Sequence, residues 1–279
     1  MISTAGSPST VTVIRMNEKA VGLILKEQDY KENAVILTVL FEEYGKLSLV
    51  AQGARKMSSK NRGNILPYTK GEFSFDYREG KTMFRMKTAH TLELYRFLHE
   101  DLNASLACAV LAEVINAFLM EGAEPSFSDH CFKLFEEACT AWNTKHPADI
   151  VLAVSLADIL KTQGIAPDVD ECVLCGDTSV SAISVNDGGF LCASCAMKRN
   201  VRFSEPMRLR AFRLINKGGL EHLSVLEEAM GSALKECDLL AEFIRTHAGL
   251  PLRSYTLFQR MFQENEPETP RSSGAGKDT

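Results

Sequence analysis

No stretch of the 279 residues reaches the roughly 18 consecutive apolar positions that a membrane span needs. The opening residues, Met1-Ile-Ser-Thr-Ala-Gly-Ser-Pro-Ser-Thr10, lack both the basic and the apolar segment of a secretory signal. Catalytic signatures are missing as well: there is no GxxxxGK[ST], no GxGxxG and no GxSxG. A zinc deaminase needs H-x-E ahead of P-C-x-x-C. Here His90 is followed by Thr91, Leu92 and Glu93, and no cysteine pair follows a proline. The six histidines are scattered, and no βαβ pattern surrounds a cysteine pair as a thioredoxin-type site would require. These absences exclude the common enzyme classes, and the chain is read as non-enzymatic, with no membrane and no small-molecule substrate. What remains is an ordinary globular composition, 45% hydrophobic and 24% charged.

The strongest positive signal is Cys172-Val-Leu-Cys175-Gly176, then fifteen residues, then Cys192-Ala-Ser-Cys195. Two Cys-x-x-Cys pairs at this separation bring four thiolates to the corners of one tetrahedron, so Cys172, Cys175, Cys192 and Cys195 are expected to hold a structural Zn²⁺. Gly176 suits the tight knuckle after the first pair. Between the pairs, Val180 to Val185 and Phe190-Leu191 read as two short strands joined at Asp187-Gly188, giving a zinc ribbon. The other cysteines, Cys108, Cys131, Cys139 and Cys237, lie in apolar helical patterns, which favours a reducing cytoplasm.

Net charge is −5, but it is unevenly placed. Residues 1–87 carry 14 Lys/Arg against 9 Asp/Glu, and the remainder carries 17 against 27. A basic first part joined to an acidic remainder is expected where one part meets phosphate. That first part contains five short β-branched and aromatic runs, 20–25, 34–41, 47–50, 73–77 and 83–86, mostly linked by hairpin-length turns. Five such strands suggest an OB-fold barrel over residues 16–93. The long link Gly53-Ala-Arg55-Lys56-Met-Ser-Ser-Lys60-Asn-Arg62-Gly63 holds four cations and no acid. Arg55, Lys56, Lys60 and Arg62 are the candidate phosphate contacts, with Ser58 and Ser59 as neutral ones. Phe73, Phe75, Tyr77 and Phe84 are candidate stacking platforms, although strand aromatics more often fill cores.

From residue 94 the period becomes helical, and residues 94–263 read as an α-helical domain interrupted by the ribbon at 168–200. The segment Ser105 to Met120 is apolar nearly all round, broken only by Glu113 and Asn116. Phe127, Cys131, Leu134, Phe135, Ala138 and Trp142 form an amphipathic stripe, and helices are expected at about 147–164, 205–215, 233–248 and 254–262. Residues 1–15 and 264–279 are read as a disordered leader and tail, with Met16 as an alternative start. After the ribbon, Lys198, Arg199, Arg202, Arg208, Arg210 and Arg213 form a second basic cluster, suited to extend a nucleic-acid path or to receive an acidic peptide, and equally to be a solvated helix face.

This order resembles the bacterial recombination mediator family RecO over about residues 16–262. The local features are Lys19-Ala-Val-Gly-Leu-Ile-Leu25 with Tyr30-Lys-Glu-Asn33, Phe41-Glu-Glu-Tyr-Gly-Lys46, Gly53-Ala-Arg-Lys56, Gly164-Ile-Ala-Pro167 and Leu252-Arg-Ser254. The resemblance implies a non-enzymatic role in recombinational DNA repair through the RecF pathway. It implies binding of single- and double-stranded DNA, annealing of complementary strands and association with RecR. It also implies help in loading RecA onto strands covered by single-stranded-DNA-binding protein, in a bacterial, nucleoid-associated setting. A zinc-stabilised protein-interaction scaffold with incidental nucleic-acid binding is the alternative.

Overall fold

In the computed structural model, which describes residues 14–56, 59, 61–120 and 124–264, the alternating segments become β1 (Ile14–Tyr30), β2 (Ala34–Phe41), β3 (Gly45–Ala51), β4 (Lys70–Arg78) and β5 (Met83–Glu93). They close into a barrel in the order β1-β2-β3-β5-β4. Every pairing is antiparallel except the β3–β5 seam. That order and its single parallel seam make an OB-fold.

Period-2 alternation drives one set of side chains inward. Phe41, Phe73 and Phe75 are fully buried there, with Phe41 centred 5.7 Å from Phe73 and 5.3 Å from Phe75. Phe84 joins them at 5.6 Å from Phe75. Phe73, Phe75 and Phe84 are therefore core residues and present no ring to a nucleobase. Tyr77 is half-buried, its ring stacked 5.5 Å from Phe84. A second difference lies at the N-terminal edge. Ile14 and Arg15, expected in a disordered leader, extend β1 and pair with Arg78 and Tyr77. Residues 1–13 lie outside the described residues, as do 265–279 of the expected tail.

Beyond the barrel come α1 (Arg96–Glu100), α2 (Leu102–Phe118), α3 (Pro125–Asn143) and α4 (Ala148–Thr162). The ribbon strands β6 (Val180–Ser184) and β7 (Gly189–Cys192) follow, then α5 (Ala193–Arg199), α6 (Pro206–Lys217), α7 (Leu223–Ala229), α8 (Leu234–Ala248) and α9 (Arg253–Glu264). Helices α1, α5 and α7 escape the sequence reading because five to seven residues are too few to show a helical period.

Asp101 caps α2, its Oδ1 accepting from the Ala104 amide at 2.8 Å. The polar break Glu113 in that apolar helix has a partner elsewhere: its carboxylate accepts from the amides of Arg253 and Ser254 at 3.1 and 2.8 Å, capping α9. Buried Asp149 does the same at the start of α8, accepting from Ser232 Oγ and the Ala233 amide. The barrel leans on this domain through Leu23, Leu25 and Leu40, which belong to the helical core. Lys46 Nζ donates to the Asn116 carbonyl at 2.7 Å, and Lys70 pairs with Glu136.

Candidate metal centre and nucleic-acid face

The ribbon is a knuckle, a hairpin and a short helix folded around sulfur. At the first pair the amides of Cys175 and Gly176 both donate to the Cys172 carbonyl, at 3.2 and 2.8 Å, and Gly176 takes φ +74°. The second pair spans the last residue of β7 and the first turn of α5. Gly189 lets the hairpin close onto the knuckle: a Cβ there would stand 2.3 Å from the Asp168 carbonyl oxygen.

All four Sγ atoms lie within 4.8 Å of one another, and Cys175 is 3.7 Å from both Cys192 and Cys195. A tetrahedron with metal–sulfur bonds of about 2.3 Å has edges of about 3.8 Å, so the donor set fits a metal ion. The thiols do not ionise alike. Burial opposes ionisation of Cys172, yet amide donors from Cys192, Leu174 and Cys175 bring it down to about 6. Cys195 is pushed up to about 12, first by its hydrogen bond to Cys175 and then by burial. Joint ionisation of the set calls for a cation among the sulfurs. Four sulfur ligands would leave such an ion no open position, so the centre is suited to bracing and not to activating water.

The barrel offers a different kind of surface. Directly paired residues on neighbouring strands point to the same side of a sheet. Leu37, Leu49 and Phe84 are aligned across β2, β3 and β5 and point inward. Their neighbours therefore point outward, in two rows: Lys26–Thr38–Ser48–Met83 and Gln28–Ile36–Val50–Arg85. No acid stands in either row. Lys26 and Arg85 are exposed at opposite edges, and Thr38, Ser48, Ile36 and Val50 form a low, half-buried floor between them. Lys26 and Arg85 were not singled out in the sequence. The signal was the unbroken apolar run Leu23-Ile24-Leu25, which breaks alternation just before Lys26.

The described residues of the cationic loop between β3 and β4 strap one mouth of the barrel. Ala54 and Ile65 plug the barrel core. On the β5 side Asn61 exchanges hydrogen bonds with the Lys87 carbonyl and the Ala89 amide, both at 3.4 Å. Asn64 accepts from the amide and hydroxyl of Thr91 at 3.3 and 3.0 Å. Arg55 is not free: its Nη1 pairs with Asp29 at 3.1 Å. Lys56 and Arg62 are exposed, their side chains without a partner among the described residues, and Lys60 lies outside the described residues.

The second basic cluster does not form one path. Arg199 pairs with Asp187 at 3.2 Å. Arg213 donates from Nε to the Val169 carbonyl at 2.6 Å and lies 5.3 Å over the Phe190 ring, tying α6 to the ribbon. Arg202, Arg208 and Arg210 instead line a groove of about 1040 Å³ with Phe203, Met207 and Met230. Lys198 is exposed on α5. In the groove wall, burial raises the carboxyl of Glu236, opposed by a backbone hydrogen bond and by the Arg208 charge.

An OB-type barrel joined to a helical domain that carries a four-cysteine ribbon defines the class. Within it, the family model described as Recombination protein O N terminal matches residues 16–95, and Recombination protein O C terminal matches residues 99–256. The chain belongs to the RecO family. Among similar proteins, DNA repair protein RecO of Bacillus pumilus is 26% identical over 246 residues, covering 87% of this chain and 94% of its own. DNA repair protein RecO of Desulforamulus reducens is 28% identical over 249 residues, covering 87% and 94%. DNA repair protein RecO of Bacillus subtilis is 26% identical over 252 residues, covering 88% and 95%.

Proposed function

We propose that this protein is a non-enzymatic DNA-binding mediator of recombinational repair. The observation that carries the reading is the pair of acid-free rows on the outer face of β1, β2, β3 and β5, in a family whose relatives bear the name DNA repair protein. A single strand laid across the floor of Thr38, Ser48, Ile36 and Val50 brings its phosphates to Lys26 and Arg85 at the edges. Lys56 and Arg62 on the strap extend the path, with Lys60 and Arg55 as the remaining cations of that loop. Contacts of this kind fix the backbone and read no sequence, which suits a protein that must act on any strand and bring complementary strands together.

Within this role the protein anneals single strands, also binds duplex DNA, and acts with RecR to load RecA onto strands covered by single-stranded-DNA-binding protein. Zn²⁺ is the structural metal of Cys172, Cys175, Cys192 and Cys195. The buried free cysteines Cys108, Cys131, Cys139 and Cys237 suit a reducing cytoplasm. The test is annealing of complementary oligonucleotides, with and without single-stranded-DNA-binding protein, over a salt series. The expected result is acceleration by the wild-type chain that fades with salt. No acceleration at low salt overturns the reading.

A second reading, a scaffold whose main ligand is protein, is favoured by the groove beside α6, where Phe203 and Met207 are exposed among Arg202 and Arg210. Capture of RecR or single-stranded-DNA-binding protein at a salt level that abolishes DNA binding, with loss on Phe203→Ala, supports that reading.

A further inference from the structure

The cations of the strap are not equivalent, and the difference starts in β1. A register shift between Ile24 and Lys26 reverses which residues face outward. Glu27 and Asp29 consequently pair with the inward-facing Leu37 and Val35 and stand at the barrel mouth, beneath the strap. With Arg55 and Arg62 they line a cleft of about 380 Å³. Arg55 is bound to Asp29 across this cleft at 3.1 Å, while Arg62 sits on the segment moored to β5 by Asn61 and Asn64. The carboxyl of Glu27 is raised, by desolvation first and the Asp29 charge second, with Arg55 opposing. One guanidinium therefore serves two acids.

We infer that Asp29 is a built-in competitor for phosphate, holding Arg55 on the protein until a nucleic-acid backbone takes its place. This rests on the reading of the barrel as the DNA-binding part and refines it. The pair suits exchange because it is open to water, with 47% of the Arg55 side chain and 72% of the Asp29 side chain exposed. An ion pair so exposed is weak. Phosphate competes well, since each contact with a single strand also releases condensed counterions. Arg62, by contrast, is in place before the strand arrives. Arg55 thus adds little to resting affinity, and Asp29 sets how much of it can be recovered.

The experiment measures binding of the full chain to a labelled thymidine oligonucleotide across a salt series, in a double-mutant cycle of Asp29→Asn and Arg55→Ala. Glu32→Gln, in the adjacent turn, is the control for simple removal of negative charge. Asp29→Asn is expected to tighten binding about two- to fivefold. It is also expected to steepen the slope of log K against log salt by about 0.7, one further phosphate contact. Arg55→Ala is expected to change the wild type little and to abolish the gain in the Asp29→Asn chain, whereas any gain from Glu32→Gln survives Arg55→Ala. Because the readout is a gain, misfolding cannot imitate it. The inference falls if Asp29→Asn gives no tightening, or an equal tightening with alanine at position 55. Lys26→Ala with Arg85→Ala separates the two levels. If that pair leaves affinity unchanged, the outer-face path falls, while an Arg55-dependent gain from Asp29→Asn still stands and moves the contact to the strap.

Discussion

The ribbon and the barrel are both small β modules, yet they are held together by different means. The ribbon packs Ala182, Leu191 and Ala196 around Cys172, Cys192 and Cys195, while its buried aromatic, Phe190, turns away into the core of the helical domain. So little apolar surface needs a further constraint, and the four clustered sulfurs are placed to supply it by sharing one ion. The cost would be a closed centre, with every ligand position spent on structure. The barrel has Phe41, Phe73, Phe75 and Phe84 packed inside it and needs no metal. Its outside is left to carry Lys26, Arg85 and the strap. Where stability comes from aliphatic and aromatic burial, the surface is available for binding; where it comes from ligands, the chemistry is already committed.

The largest test of this contrast is at the metal. Cys172→Ser or Cys192→Ser is expected to drop zinc from about one per chain to near none by elemental analysis, and to lower the melting temperature sharply. An unchanged metal content and melting point would mean that the ribbon holds itself by packing. In the barrel the corresponding test is Phe41→Ala. It is expected to cost about 3–5 kcal/mol in denaturant unfolding and to leave zinc content unaltered. Gly189→Ala probes the ribbon without touching a ligand. With the new Cβ 2.3 Å from the Asp168 carbonyl oxygen, the hairpin must shift. A loss of about 1–3 kcal/mol is expected, read as a lower melting temperature and faster zinc loss to a chelator. The smallest effect is on binding. Lys26→Ala with Arg85→Ala is expected to flatten the salt slope for single strands by about 1.4, two phosphate contacts at about 0.7 each, with stability unchanged within about 0.5 kcal/mol.

Much of this could be read in the residues themselves. The cysteine spacing foretold that the four sulfurs would cluster, because a knuckle and a hairpin leave that spacing few other geometries. Alternation over β2 to β5 and the stripe of α3 placed the elements, since burial on one face imposes a period. Other features stayed hidden. The cap that Glu113 gives α9 joins residues about 140 positions apart, and nothing local announces it. Arg213 reads as a free cation in the sequence but is spent on the Val169 carbonyl. Phe73 and Phe75 could have faced either way until the barrel closed on them.

The residues determined that a basic β-rich part precedes a helical part stapled by a four-sulfur ribbon, since composition, period and ligand spacing are properties of short stretches of chain. Only the tertiary structure decided which side of β1 meets solvent. Strict alternation from the inward Ile24 would send Lys26 and Gln28 into the barrel and turn Glu27 and Asp29 outward. One bulged residue between Ile24 and Lys26 reverses that. It puts Lys26 on the outer face and the two acids beneath the strap, because the side-chain period of a strand is two and a single extra residue inverts everything after it.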